Sequence, residues 1–343
     1  MVEFGGWDMP LQYEGIIAEH EHTRTVASIF DTCHMGEFEL RGKTAESDLE
    51  RLLTQNIPSL GIGQCRYGYM LNEEGGVLDD LTCYRLDDDR YWLIVNAGTL
   101  AKDRAWIQKH LSIGTLFTDR TEQIGKFDVQ GPKSRELLEL TFGIDVPELG
   151  FFRAVNIEID GIDVFLSRTG YTGEWGYELY LPVEKTEVLW DRLLETGGIK
   201  PAGLGARDTL RFEMGYPLYG SDLSEERTPV ACARGMFIGK KKDFIGRAAV
   251  DRDLNDGCTQ YLTALRLSTR RAARPHDKVF FAGEEVGEVT SGSLAPSLGV
   301  AVALAYVDAP AIETGREFEI GTGRRDLTAK VVDLPFYQNG TVR

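Results

Sequence analysis

Two adjacent acidic residues in the first third of the chain are candidates for a catalytic or ligand-binding carboxylate. Asp79 and Asp80 lie in the segment 75–81 (GGVLDDL), which is otherwise apolar after its two glycines. Because neighbouring strand residues point to opposite faces, only one of the two acids can enter a given pocket. A partly buried carboxylate in such a strand needs a partner or a function. The alternative interpretation is a turn acid beside an acid that faces solvent.

A glycine-rich segment with aromatic residues occupies positions 169–178 (TGYTGEWGYE). Its three glycines permit positive φ angles and close approach of the backbone to another group. A planar heteroaromatic ligand could stack on the aromatic side chains, and Glu178 could accept hydrogen bonds from its N–H groups. A hairpin with packed aromatic residues fits the same pattern and stays open as the alternative.

Two arginines stand at helical spacing in the segment 203–211 (GLGARDTLR). Arg207 and Arg211 are four residues apart and share a helix face. Arg207 falls in the first turn, where a cation opposes the helix dipole. Its position therefore indicates a nearby carboxylate, either of the protein or of a ligand. The alternative is a purely structural role, in which the arginine forms an internal ion pair with Glu213 or Asp222.

Other reactive patterns are weak. The small-residue loop 290–299 lacks the lysine and the glycines of a phosphate-binding loop. His20 and His22 diverge on a helix, and His34 beside Cys33 has no third ligand at suitable spacing, so we expect no metal site. No nucleophile motif of the serine or cysteine hydrolases stands out.

The net charge of the chain limits which macromolecules it can bind. The chain has 38 Lys and Arg against 54 Asp and Glu, a formal net charge of −16. Such a field repels nucleic acid and anionic membranes, so we expect neither as a partner. Basic clusters at 240–242 and 270–274 fit solvated turns. They would otherwise dock an acidic partner or the tail of a polyanionic ligand.

The cysteines and the lack of targeting patterns in the sequence indicate the cellular compartment. The five cysteines are odd in number and widely spaced, which indicates reduced thiols and a cytoplasmic location. The longest apolar run, 300–307, is eight residues, which suits one buried strand and is too short for a membrane span. The first ten residues lack the basic and apolar regions of a secretory signal.

Secondary-structure patterns predict an α+β fold that changes to all-β after about residue 228, and 343 residues suggest two or three domains. We find no internal repeat. Apolar periodicity and turn signals predict helices at 14–29, 44–53 (with a capping box at Thr44), 100–110, 133–140, 184–195 and 205–215. The same signals predict strands at 35–40, 66–71, 80–86, 91–95, 125–129, 154–159, 163–168, 263–267, 278–281, 285–290, 300–307 and 327–332.

The order of these segments resembles the aminomethyltransferase family, the T-protein of the glycine cleavage system. The resemblance covers essentially the whole chain in one order. The segments that carry it are GGWDMPLQY near the start, DTCHMG (31–36), MLNEEGGVLDDL (70–81), VNAG (95–98), QGP (130–132), SRTGYTGEWGYEL (167–179), GLGARDTLRFEMGYPLYG (203–220), TPVACA near 228 and TSGSLAPSLG (290–299).

The resemblance implies a fold and a division into domains. The family folds as a three-domain cloverleaf around a central folate cavity, with a C-terminal all-β barrel. For this chain it implies a discontinuous α+β domain of residues 1–36 and 122–227. It implies a second α+β domain of residues 37–121 and a barrel domain of residues 228–343.

The resemblance also implies the site residues. The second acid of the family's acid pair corresponds to Asp80, the catalytic carboxylate. The acid of the G-Y-E-L motif corresponds to Glu178, which recognises the pterin ring. Five further residues are implied to bind the folate, and a sixth is a weaker candidate because the chain's end resembles the family only loosely. They are Arg207, Asn96, Tyr67, Met35 and Tyr171, with Tyr337 as the weaker one.

The implied reaction uses tetrahydrofolate as the one-carbon acceptor and needs no metal. The donor is an aminomethyl group held on the lipoyl arm of a carrier protein, the H-protein. N5 of tetrahydrofolate attacks the methylene while ammonia leaves and the dihydrolipoyl thiol is released. Asp80 would stabilise the iminium-like transition state and orient the folate ring.

Two other functions remain open at this stage. One is a folate-dependent demethylase on the same fold that acts on a small methylated compound without a lipoyl carrier. The other is a non-catalytic folate-binding or iron–sulfur assembly protein, although the K-G-C-Y-x-G-Q-E motif of that group is absent. Besides the loosely matching end of the chain, two departures from the family pattern are Cys33, where a serine is usual, and the expected lack of the short N-terminal arm.

Overall fold

The computed structural model describes residues 1–323 and 325–342. Within those residues the strands are β1 Val2–Phe4, β2 Trp7–Met9, β3 Ser28–Asp31, β4 Gly36–Arg41, β5 Gln64–Leu71, β6 Val77–Asp87, β7 Arg90–Val95, β8 Leu116–Asp119, β9 Ile124–Gln130, β10 Ala154–Ile159, β11 Ile162–Ser167, β12 Gly176–Pro182, β13 Lys200–Pro201, β14 Gln260–Leu267, β15 Lys278–Phe281, β16 Glu284–Ala295, β17 Val300–Asp308, β18 Glu317–Gly321 and β19 Leu327–Val331. The α-helices are α1 Ile16–Thr25, α2 Ala45–Leu52, α3 Leu100–His110, α4 Ser134–Phe142, α5 Thr186–Glu195, α6 Leu204–Glu213 and α7 Arg247–Asp256.

The described chain confirms the predicted fold class, since helices and sheets mix in the first part and a closed barrel forms the last part. It forms two compact units. The first comprises Met1–Gly68, Asp80–Asp208 and the chain from Gly340 onward, and the second comprises Tyr69–Asp79 and Thr209–Asn339.

A six-stranded sheet organises the first unit, with the order β10-β11-β12-β9-β3-β13. Strand alternation sends the apolar residues of β9 and β12 to one face, where they pack on helices α4 and α5. Phe127 and Leu179 lie on that face with Leu137 and Leu193 of the helices, and all four are buried. This burial fixes which residues of β9 and β12 must point the other way.

The opposite face of the six-stranded sheet packs against a second sheet of order β5-β6-β7-β4-β8. Their shared apolar cluster includes Phe165 and Tyr180 from the first sheet and Tyr84 and Ile94 from the second. The rings of Tyr84 and Tyr180 meet edge to face, with centroids 6.0 Å apart. Polar side chains that alternate with these apolar residues therefore enter the layer between the two sheets.

A closed six-stranded barrel, β14-β17-β16-β15-β18-β19, lies in the second unit. Its interior is filled from β17 by the small side chains of Ala301, Ala303 and Ala305, which alternate along the strand and are fully buried. Small residues on one strand leave room for larger ones, such as Phe318, in a narrow barrel. The predicted apolar run 300–307 is this strand.

Several local predictions differ from the structure. The predicted helix 14–29 ends at Thr25, because Ser28–Asp31 pairs with β9 as the strand β3. Thr44 precedes α2 without a capping hydrogen bond from its side chain, and its hydroxyl lies 2.7 Å from the Thr115 hydroxyl instead. Helix α7 was not predicted, and it lies in the region after residue 228 that was expected to be all-β. The strands β1, β2, β3, β8, β12, β13 and β18 were not predicted either. In β18 the alternation of charged and apolar residues leaves only two of them, Phe318 and Ile320, in the barrel core.

No helix among the described residues is long and apolar enough to cross a membrane.

Candidate active site

Asp80 lies at the centre of a cluster formed by three of the predicted site residues. The Tyr67 hydroxyl donates to Asp80 Oδ2 at 2.9 Å. The Asn96 amide donates to Asp80 Oδ1 and to the Asp80 main-chain carbonyl, each at 3.0 Å. All three residues are half-buried, so the carboxylate is oriented without being sealed from a ligand.

Strand alternation separates the two neighbouring acids as predicted. Both stand in β6, where Asp79 is fully buried and Asp80 is half-buried. Because the two side chains point to opposite faces, only Asp80 shares a face with Thr82 and Tyr84. Tyr84 belongs to the apolar cluster between the two sheets, so Asp80 stands on the sheet face that borders this layer.

Glu178 stands on β12 in the same layer. The Tyr180 hydroxyl donates to its Oε2 at 2.7 Å, and the Tyr84 hydroxyl lies 3.4 Å from the same oxygen. The Lys126 ammonium lies 3.7 Å from Oε1, which makes an ion pair. Burial, and then the charge of Glu178, raises the pKa of Tyr180 far above its usual range, so this phenol stays a donor. Glu178 is thus a fixed acceptor beside a buried cation.

A buried chain of charges adjoins Glu178, and two of its members, Lys126 and Asp128, were not predicted from the sequence. Lys126 Nζ donates to Asp128 Oδ1 at 2.7 Å and to the Thr32 hydroxyl at 3.1 Å. Arg207 Nη1 donates to the other oxygen of Asp128 at 2.8 Å. Lys126 and Asp128 alternate with apolar residues in β9, and this regular placement of charges in a buried strand was the available signal.

The charges of this chain stabilise one another. Burial opposes ionisation of Asp128, but Lys126 and Arg207 outweigh it and hold the pKa of Asp128 below its usual value. Burial likewise opposes the charge on Lys126, but Asp128 and Glu178 outweigh it and raise the pKa of Lys126. At neutral pH the lysine and the arginine are therefore cations and Asp128 is an anion.

Arg207 forms its ion pair with Asp128. The alternative interpretation, an ion pair of Arg207 with Glu213 or Asp222, is therefore wrong. It is Arg211 that pairs with Asp222, at 3.2 Å. A carboxylate beside Arg207 was predicted from its place in the first turn of α6, and that prediction is confirmed.

The glycine-rich segment 169–178 connects β11 and β12, which are adjacent antiparallel strands, so the hairpin that was left open as the alternative is present. Gly173 has a φ of +80°, and a Cβ at Gly170 would lie 2.1 Å from the side chain of Gln130. The glycines therefore serve the turn and the close packing of Gln130. The Tyr171 ring lies 5.3 Å from the Arg207 guanidinium, which places it beside the buried chain of charges.

For the two remaining predicted residues, Met35 and Tyr337, the contacts are with the apolar cluster and with the second unit. Met35 is half-buried and packs against the apolar cluster between the two sheets. Tyr337 lies in the second unit, where its backbone N–H donates to the Glu213 carbonyl at 2.9 Å. The first unit thus brings seven of the eight predicted residues, all except Tyr337, into the layer between its sheets or to the edge of that layer.

His34 also borders the layer. Burial, followed by the charges of Arg207 and Lys126, lowers the pKa of His34 to about 3, so the imidazole is neutral at physiological pH. Its Nδ1 has no hydrogen-bond partner in the described part of the chain. The same part contains no group of three histidine, cysteine or acidic side chains placed to hold a metal ion.

Comparison with known proteins agrees with this architecture. A family model of the GCVT N-terminal domain matches residues 1–242. A family model of the glycine cleavage T-protein C-terminal barrel domain matches residues 261–338.

Individual relatives match over nearly the whole chain. The aminomethyltransferase of Symbiobacterium thermophilum is 43% identical, over 99% of this chain and 94% of its own length. That of Desulforamulus reducens is 40% identical, over 98% and 94%. The crystal structure of the glycine cleavage system aminomethyltransferase T from Bartonella henselae superposes with a TM-score of 0.94 at 33% identity, covering 100% of this chain and 95% of that one. By sequence and by structure, the chain belongs to the aminomethyltransferase family, the T-proteins of the glycine cleavage system.

Proposed function

We propose that this transferase moves the methylene of an aminomethyl group to tetrahydrofolate. The donor is an aminomethylated lipoyl arm on a carrier protein of the H-protein type. The bond from carbon to the lipoyl sulfur and the bond from carbon to nitrogen both break, and new bonds from the carbon to the folate form. Ammonia and the dihydrolipoyl thiol are the other products.

The observation that carries the proposal is the way in which Asp80 is held. Its two carboxyl oxygens are engaged by Tyr67 and by Asn96, so the group cannot rotate freely. A fixed negative charge stabilises a cationic, iminium-like transition state without reorganisation at the moment of reaction. Tyr67 and Asn96 then act as positioning residues for the catalytic carboxylate.

The remaining predicted residues suit recognition of a pterin ring. Glu178 offers a carboxylate that accepts N–H bonds, and Tyr171 with Arg207 offers a planar, polarised surface. Met35 offers a flexible apolar contact. We propose the same recognition role for Tyr337, on the resemblance alone.

Three domains are proposed from the family, and the sheets support this division. All strands of the six-stranded sheet fall within 1–36 and 122–227, and those of the barrel fall within 228–343. The strands of the five-stranded sheet fall within 37–121, apart from Gly36 at the start of β4. A cytoplasmic location is proposed on the five cysteines, which are all free thiols.

The test is a reconstituted reaction with purified chain, tetrahydrofolate and a chemically aminomethylated lipoyl carrier. Methylenetetrahydrofolate, ammonia and the free dihydrolipoyl thiol should form in equal amounts. Formation of 5-methyltetrahydrofolate from a small methylated compound, with no turnover of the carrier, would favour the demethylase. Tight folate binding without turnover of either donor would favour a non-catalytic folate-binding protein.

A further inference from the structure

Glu37 is a buried acid to which the proposed reaction gives no role. It stands in β4 and is 1% exposed. Neither of its carboxyl oxygens has a hydrogen-bond partner among residues 1–323 and 325–342. Leaving such a group unsatisfied costs free energy in the protein without a ligand. A side chain of this kind calls for a specific explanation.

The register of the sheet shows which way Glu37 points. Glu37 is directly opposite Ile94 on β7, and Ile94 is directly opposite Thr82 on β6. Residues directly opposite in antiparallel strands share a face. Asp80, two residues before Thr82, shares that face as well. Glu37 therefore enters the same layer between the sheets as the proposed catalytic carboxylate.

The charged groups that act on Glu37 come from three neighbouring strands. They are Lys126 on β9, Asp119 on β8 and Glu178 on β12. Burial is the largest effect, and it raises the pKa of Glu37 well above the usual carboxyl range, although Lys126 acts in the opposite direction. This direction favours the protonated, uncharged form of Glu37 over its anion.

The balance of charge in the layer leads to the same conclusion. The cations Lys126 and Arg207 are matched by Asp128 and Glu178 through contacts of 2.7, 2.8 and 3.7 Å. An ionised Glu37 would add a fifth charge, and the described residues give its oxygens no hydrogen bond. The uncharged acid avoids that cost and gains a donor, because a protonated carboxyl both donates and accepts.

We propose that Glu37 is a further ligand-binding residue of this layer, and that it presents an uncharged carboxyl group to the lactam edge of the ring that Glu178 recognises. The inference rests on the proposed function. A lactam edge places a carbonyl oxygen beside a ring N–H, and the reduced pterin of tetrahydrofolate has such an edge. Glu178, a carboxylate, takes the N–H groups, and the Glu37 O–H donates to the carbonyl oxygen.

A second unsatisfied group supports a polar ligand in this place. His34 precedes Glu37 by three residues, on the connection from β3 to β4, and its Nδ1 also lacks a hydrogen-bond partner in the part of the chain that the structure describes. Lys126 acts electrostatically on both side chains. Two buried polar groups that lack partners around one lysine indicate a layer completed by hydrogen bonds from outside the chain.

The experiment measures tetrahydrofolate binding by calorimetry, and thermal unfolding without ligand, for wild type, Glu37→Gln and Glu37→Met. Gln keeps an uncharged donor and acceptor, and Met keeps the approximate size but no hydrogen-bonding group. We expect Gln to bind within about threefold of wild type and Met to bind about tenfold more weakly or worse, the loss of one hydrogen bond. Without ligand, Met should unfold at no lower temperature than wild type, since it removes an unsatisfied buried group.

Each outcome bears on a distinct claim. Equal affinity of wild type and the Met variant would overturn the role of Glu37 while leaving the proposed function intact. Equal weakening in Gln and Met would overturn the uncharged form, and a markedly lower unfolding temperature for Met would show a structural role instead. Failure of the wild type to bind tetrahydrofolate would overturn the proposed function itself, and this inference with it.

Discussion

The side-chain amide of Asn96 donates to two oxygens of Asp80, the carboxyl Oδ1 and the main-chain carbonyl, each at 3.0 Å. Because one amide holds both the side chain and the backbone of the acid, the Asp80 carboxylate has a defined direction relative to β6. A carboxylate placed in this way suits stabilisation of a charge that develops at one fixed point.

Replacement of the proposed catalytic charge is the most direct test of that arrangement. Asp80→Asn keeps the size of the side chain and removes the charge, so turnover should fall about a hundredfold or more while tetrahydrofolate still binds. The measurement is kcat in the reconstituted reaction, with folate affinity from calorimetry.

Asp79→Asn is the matched control, since this neighbouring acid is fully buried and points to the other face of β6. It should act mainly on thermal stability and leave turnover within a few-fold. Equal losses of turnover in the two variants would mean that the strand itself was disturbed. A loss confined to Asp79→Asn would identify the other acid as the catalytic one.

Glu178 should contribute to folate affinity rather than to the chemical step. Glu178→Ala removes a charged acceptor, and we expect tetrahydrofolate binding to weaken by about 1.5–3 kcal/mol. Calorimetric titration measures this directly. Glu187→Ala, on the exposed side of α5, is the control and should bind like wild type. Unchanged affinity in Glu178→Ala would exclude its role in recognising the pterin.

Asp128 should be a stability residue of the site. Its carboxylate lies between Lys126 and Arg207 and is fully buried, so Asp128→Asn leaves two cations without their shared anion. We expect a loss of about 3–5 kcal/mol in the free energy of unfolding, measured with denaturant. The surface pair of Arg135 and Glu139 is the comparison, because Arg135→Ala should cost about 1 kcal/mol or less. Similar losses in the two variants would contradict the importance of burial.

His34 should make the folded state sensitive to mild acid. Its pKa is lowered to about 3 by burial, so the unfolded chain takes up a proton near pH 6.5 and the folded chain does not. Stability is therefore full above pH 6.5 and falls as the pH drops toward 3. Between pH 7 and pH 5 the contribution of His34 to this loss is about 2 kcal/mol.

His34→Gln removes this titration, so its loss of stability from pH 7 to pH 5 should be smaller than that of wild type by this amount. Denaturant unfolding at the two pH values is the measurement. A wild-type slope in His34→Gln would show that the imidazole titrates alike in the folded and unfolded chain.

Local patterns were sufficient for many elements. The helix 100–110 was predicted with the bounds that the structure shows, and the apolar run 300–307 became the buried strand β17. The opposite orientation of Asp79 and Asp80 also follows from sequence, because alternation is a property of a single strand. The helix predicted over 14–29 failed at its end, because pairing of Ser28–Asp31 with β9 outweighed the local helical pattern.

The sequence by itself determined the family pattern, the order of the elements and the acid of each motif, since these depend on neighbours along the chain. Only the tertiary structure decided that Arg207 meets Asp128, 79 residues away in sequence, and that Tyr67 and Asn96 converge on Asp80. It also placed Glu37 and Lys126 in the layer around Glu178. The physical reason is that the packing of two sheets sets the desolvation, the partners and the charge of these groups, and none of these three properties is local to a segment.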